Sequence, residues 1–122
     1  MKYITFKPEF VARIHQRVKV STIRPTRRLE PGDRVSLRIW TGKPYRSKQK
    51  EFGQAIILEI NRVIFVNPFE VACEGRFLTA SECVTLAHQE GFNTGVEMFQ
   101  WFEKQHGFPF KGCQYLFQLI TE

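Results

Sequence analysis

The sequence predicts an α+β domain: a small β-barrel or strongly curved sheet with flanking helices. Three observations carry this. Alternating and β-branched apolar stretches, led by "RVSLRIW" (34–40) and "QAIILEINRVIFV" (54–66), outnumber the helical patterns. Two capping boxes, "TASE" (79–82) and "TGVE" (94–97), follow one another and each opens a helix, the threonine hydroxyl serving the backbone and the glutamate three residues on returning the bond. A chain of 122 residues with 43% apolar and 25% charged content fills one core, so residues 1–122 are expected to form a single domain.

The elements follow in order. "YITF" (3–6) reads as a short strand, and Pro8 suits the first turn of a helix in "PEFVARIHQR" (8–17), with Phe10, Val11 and Ile14 as its apolar stripe. The chain is then extended up to Arg24, because the residue before a proline is pushed away from helical dihedrals. "EPGD" (30–33) turns it into a strand whose Val35, Leu37 and Ile39 alternate with Arg34, Ser36 and Arg38, leaving one face basic. Residues 41–53, "TGKPYRSKQKEFG", form a long polar loop, and 54–66 form one long or two short strands. The capped helices are stopped by Gly91 and Gly107, and "CQYLFQLI" (113–120) closes the chain as a strand. Trp40, Trp101, Phe92, Phe99, Phe102, Phe108 and Phe110 are assigned to packing in the core or at its edge.

Composition narrows the function. No apolar run approaches the roughly 20 residues that cross a bilayer, and "MKYITFKPEF" lacks the apolar segment of an export signal, so no membrane partner and a cytoplasmic location are expected. Cys73, Cys83 and Cys113 are odd in number and widely spaced, and His15, His88 and His106 are equally scattered, so reduced thiols, no metal site and no cofactor are expected. Charge is the informative quantity. Residues 1–50 carry 14 Lys or Arg against three acids, whereas residues 51–122 carry four against nine. The net +6 therefore comes wholly from the N-terminal half, and polyanions such as RNA become the natural partner class.

Several residues could carry chemistry. A threonine hydroxyl becomes a nucleophile when a base takes its proton, and a desolvated lysine can be that base, which singles out Lys19 and Thr22. Residues three apart point to opposite faces of a straight strand, so these two converge only if the chain bends between them. Glu90 sits in the last turn of its helix, where the negative end of the dipole opposes a carboxylate, and Leu86 one turn earlier offers no counter-charge. That placement suits a proton donor and acceptor; pairing with an arginine across the fold is the plainer alternative. Arg24, Arg27, Arg28, Lys43, Arg46, Lys48 and Lys50 could hold phosphates, with Tyr45 as a stacking surface, or could form a solvated face.

The ordered pattern of "K..T.R" at Lys19, Thr22 and Arg24, "PGDRV" at 31–35, an apolar strand from Gly53 and "AHQEGF" at 87–92 resembles the ASCH family of PUA-like domains. The resemblance covers nearly the whole chain. It implies a small β-barrel flanked by helices, with a cleft between the barrel and the helical segment, and RNA binding by relation to PUA domains. Some small bacterial members hydrolyse the acetyl amide of N4-acetylcytidine, and their catalytic Lys, Thr and Glu fall on Lys19, Thr22 and Glu90. This chain differs from them in its basic loop 43–50 and in the longer connection "NPFEVACEGRF" (67–77). Three readings stay open: a module that binds RNA or a modified nucleoside in a basic cleft, an amidohydrolase acting on N4-acetylcytidine-like nucleosides, and a ribonuclease.

Overall fold

Strand β4 (Gln49–Asn67) is the spine of the fold in the computed structural model, which describes residues 1–121. One edge of β4 pairs first with β3 (Arg34–Trp40) and then with β5 (Glu70–Cys73), and the other edge pairs with β7 (Phe110–Leu119), all antiparallel. β1 (Lys2–Thr5) runs parallel to β3, β2 (Ser21–Arg24) antiparallel to β7, and β6 (Arg76–Phe77) extends β5. Among the described residues β1 and β2 do not pair, so this α+β sheet stays open. Of the two expected forms it is the curved sheet and not the barrel. Register shifts at Leu37/Arg38, Ile57/Glu59 and Phe65/Asn67 bend β4 and its partners, since an extra residue on one strand increases the local twist.

The helices pack against this sheet. A 3-10 turn at Pro8–Phe10 leads into α1 (Val11–His15), shorter than the expected ten residues; α2 (Ala80–Gln89) and α3 (Gly95–His106) follow the two caps. Thr79 and Glu82 form the full reciprocal capping box. At α3 only half of it forms: Thr94 accepts from the Glu97 amide, while the Glu97 carboxylate accepts from Asn93 N–H. The core is rich in rings. Phe65 stacks on Phe102 at 4.5 Å, with Phe108 and Phe110 in parallel orientation around it. Cys73, Cys83 and Cys113 are unpaired. Among the described residues no helix is long and apolar enough to cross a membrane.

Three local readings need correction. Residues 70–77 contain β5 and β6 where a plain connection was expected, because they complete the β4 edge that β3 leaves bare. β4 begins at Gln49, so Lys50 is a strand residue opposite Ile39 and the basic loop shrinks to 41–48. Ser36 is fully buried and donates to Glu51, so the face of β3 that it shares with Arg34 and Arg38 is partly covered.

Candidate functional site

The site forms where the end of α2 docks on the segment leading into β2. The last turn of a helix leaves carbonyls without internal partners. Here Val20 N–H donates to the Gln89 carbonyl at 2.8 Å, Lys19 Nζ to the Glu90 carbonyl at 2.7 Å, and the Arg13 guanidinium to the Gly91 carbonyl. Two cations thus meet the negative end of the helix. Gly91, at φ +92°, is required on two counts: the left-handed conformation, and a Cβ that would lie 2.9 Å from Lys19 Cβ.

Lys19 precedes β2, and its backbone N–H bonds to the Arg13 carbonyl and not to the sheet. The chain therefore bends between Lys19 and Thr22, and both reach one cleft despite their three-residue spacing. Lys19 is only 4% exposed, its Nζ 4.7 Å from the centre of the Phe10 ring. Burial pushes its pKa down to about 8, and the neighbouring Arg24 and Arg13 act in the same direction. Glu90, with Oε1 3.8 Å from Nζ, opposes them.

Glu90 is 1% exposed and held by a buried polar chain. The Ser21 hydroxyl donates to Glu90 Oε2, Gln114 Nε2 donates to Ser21 Oγ (3.2 Å) and to Gln89 Oε1 (3.3 Å), and Asn61 Nδ2 donates to Gln114 Oε1 (3.2 Å). Thr22, also buried, accepts through Oγ1 from Arg24 Nε at 2.9 Å. The half-buried Arg24 lies over the Phe6 ring, 4.9 Å from its centre, and burial brings its pKa down to about 10 against the pull of Glu90 and Tyr115. A hydroxyl that accepts from a cation is better able to carry negative charge on its oxygen.

These groups open into a cleft of about 330 Å³, within the size range of small-molecule sites. Phe6, Phe10, Phe92, Trp101 and His106 wall it; Lys19, Thr22, Arg24 and Glu90 supply its polar floor. The Phe10, Phe92 and Trp101 rings meet at 5.8–6.0 Å, and His106 lies flat on Phe110 at 4.0 Å. Burial, with Arg24 and Lys7 nearby, lowers the pKa of His106. Flat rings around a few fixed polar groups suit a planar heteroaromatic ligand.

The sequence-designated residues divide. Lys19, Thr22, Glu90, Arg24 and Tyr45 line the cleft. Arg27 instead pairs with Glu30 at 2.6 Å on the surface, Arg28 lines an adjoining cavity, and Lys43, Arg46, Lys48 and Lys50 are not among the cleft residues. Ser21 and Gln114 went unrecognised; the two-residue spacing of Ser21 from Lys19, which favours one side of the chain, was the available signal for the first. Phe92 and Trp101, assigned to packing, also form the cleft wall. Among the described residues no group of three or more His, Cys, Asp or Glu gathers where one metal ion would sit.

No protein-family model matches the sequence, and no curated protein matches it significantly. Solved structures do. The chain is similar to the crystal structure of ASCH from Zymomonas mobilis, with a TM-score of 0.56 and 17% identity over 95% of this chain and 65% of that one. Two single-substitution variants of the Zymomonas mobilis protein match at a TM-score of 0.54, with 18% and 17% identity over 95% and 98% of this chain and 66% and 73% of theirs. This chain thus spans about two thirds of the length of the first of these structures. It has the ASCH fold.

Proposed function

We propose that the cleft binds a modified nucleoside and hydrolyses an acyl amide on its exocyclic amine, as in N4-acetylcytidine. One observation carries the reading: a buried lysine with its pKa near 8 shares a ring-walled cleft with a threonine hydroxyl and a buried carboxylate. A binder of RNA phosphates alone needs no desolvated lysine, whereas a nucleophile needs a neutral base beside it. The resemblance to the small amidohydrolases assigns these roles to the same three residues.

In this mechanism neutral Lys19 takes the Thr22 proton as Oγ1 bonds to the acyl carbon, and Arg24 Nε–H stabilises the oxygen from which that proton leaves. As Glu90 Oε1 closes on Nζ from 3.8 Å to hydrogen-bond distance, the proton passes to it and on to the departing amine as the C–N bond breaks. The acyl group remains as an ester on Thr22. Glu90 then takes a proton from water, whose oxygen attacks the ester, and returns that proton to Thr22 Oγ1 as the acid leaves. The cytoplasm, where RNA and its breakdown products are found, is the compartment this activity implies.

The test is release of cytidine and acid from a panel of N4-acylcytidines. Thr22→Val and Lys19→Arg are expected to lower the rate at least ~10²-fold, since the first deletes the nucleophile and the second keeps the charge but removes the base. Full activity in both variants, or no release from any substrate, overturns the hydrolase. Short RNAs in the same panel report the other two readings, by strand cleavage or by a mobility shift without turnover.

A further inference from the structure

A second cavity, of about 360 Å³, adjoins the first and shares Thr5, Arg24, Pro25 and Tyr45 with it. Its lining differs in kind. Tyr3, Tyr45 and Tyr115 supply rings, Arg24 and Arg28 supply charge, and no carboxylate lines it. Arg27, next in the chain, is neutralised by Glu30, yet among the described residues the Arg28 guanidinium has no hydrogen-bond or ion-pair partner. Nor is Arg28 on a loose segment. Its backbone N–H donates to Tyr115 Oη at 2.8 Å, and that buried hydroxyl donates to the Thr26 carbonyl at 3.2 Å, so the main chain is pinned to the sheet.

Among the described residues neither Arg24 nor Arg28 has a carboxylate within ion-pair distance, although Arg24 feels the charge of Glu90 and gives its Nε–H to Thr22. Two such guanidinium groups beside a nucleoside-sized cleft match the chemistry of a phosphate ester. Exposed rings on the rim match that of a neighbouring base. Tyr3 is 53% exposed with the Arg38 guanidinium 4.6 Å from its ring centre, and Tyr45 is 88% exposed. Base-on-ring stacking tolerates any sequence, because every base has a flat face.

Resting on the nucleoside reading of the first cleft, we propose that the second cavity is a phosphate subsite: Arg24 and Arg28 hold the phosphate esterified to the ribose of the bound base. The substrate is then a phosphorylated nucleoside, either a mononucleotide or a residue within single-stranded RNA, and not the free nucleoside.

Values of kcat/KM for N4-acetylcytidine, its 5′- and 3′-monophosphates and a trinucleotide carrying the modified base at its centre decide this. At least one phosphorylated substrate should exceed the nucleoside by about tenfold, and Arg28→Ala should bring that ratio close to one. Equal rates on monophosphate and trinucleotide identify a mononucleotide substrate. A trinucleotide advantage that Tyr3→Ala removes identifies a strand. Preference for the free nucleoside, or a ratio that Arg28→Ala leaves intact, overturns the subsite. If nothing is deacylated the hydrolase reading fails by itself, and calorimetric affinities of cytidine and cytidine monophosphate for the wild type and Arg28→Ala still decide. Tighter monophosphate binding lost in the variant sustains the phosphate subsite; indistinguishable affinities end it.

Discussion

Lys19 and Arg24 at the cleft, and Lys43, Arg46 and Lys48 in the 41–48 turn, come from the same basic half of the chain. At the cleft, burial against Phe6, Phe10 and the end of α2 pushes the lysine toward neutrality and fixes each polar atom to a named partner. In the turn, Tyr45 leans on Trp40 at 5.2 Å, the Thr41 N–H and hydroxyl donate to the Lys48 carbonyl and the Ser47 hydroxyl to that of Lys43, while the cationic heads stay in water. Charge density alone does not tell the two regions apart. Desolvation does, because taking an ion out of water changes its protonation and its energy together, whereas water and salt screen an exposed ion.

The largest expected effect comes from removing the counter-charge inside the cleft. Glu90→Gln should destabilise the protein by about 3 kcal/mol at pH 7, since it strands the Lys19 ammonium, 4% exposed, with no carboxylate beside it. The cost should shrink above pH 8, where wild-type Lys19 is already losing its proton. Urea unfolding at pH 7 and pH 9.5 measures both. An equal cost at the two values would show that Glu90 is held for packing and not for charge.

Lys19 itself gives the next effect, through pH. Its native pKa, about 8, lies below the ordinary 10.5, so between these values the unfolded chain binds more protons and stability rises with pH. The gain across the window is on the order of 3 kcal/mol, and below pH 8 the cost of burying the charged form is constant. Lys19→Met should lose this slope. If its stability profile between pH 7.5 and 10.5 parallels that of the wild type, Lys19 is not desolvated and cannot serve as the base.

Gly91→Ala comes next, at about 2 kcal/mol, from the strain of a left-handed alanine and the displacement of Lys19 by the new Cβ. The loss should appear both in the urea midpoint and as a weakened dependence of stability on pH between 8 and 10.5. A loss of stability with the pH dependence intact would separate the backbone strain from the seat of the lysine.

How much of this contrast was legible in the sequence depends on the range of the interaction. Glu90 stood out because a carboxylate at the end of a helix contradicts local electrostatics, and local electrostatics can be read from neighbours in the chain. The long apolar run gave β4, and the caps gave α2 and α3. β5 and β6 were not legible, because "EVAC" and "RF" are too short to show a period and are strands only by virtue of the β4 edge they complete. The hydroxyl bonded to Glu90 is that of Ser21, not Thr22, a distinction set by the bend before β2 that no propensity records. Likewise nothing in "PTRRLE" says that Arg27 is paired and Arg28 is not, since Glu30 lies within three residues of both and is the nearer to Arg28.

The smallest expected effect tests the other side of the comparison. Reversing Arg46 and Lys48 to glutamate should change stability by less than about 0.5 kcal/mol, because exposed charges with no buried partner contribute little to the folded state. Any influence on a polyanion would then act through the long-range field. At low salt the reversed turn should slow association with a short single-stranded RNA, and at high salt the deficit should vanish, because the Debye length falls from roughly 30 Å at 0.01 M to about 3 Å at 1 M. Direct phosphate contacts behave differently: each one lost flattens the slope of log affinity against log salt by about 0.7 for a single strand. Association kinetics and affinity measured across that salt range separate the two. A deficit confined to the association rate, with the dissociation rate unchanged, leaves the turn as a steering surface, with the chemistry confined to the cleft. Faster dissociation together with a flattened slope would place the RNA across both regions, and the two sets of cations would then share one ligand.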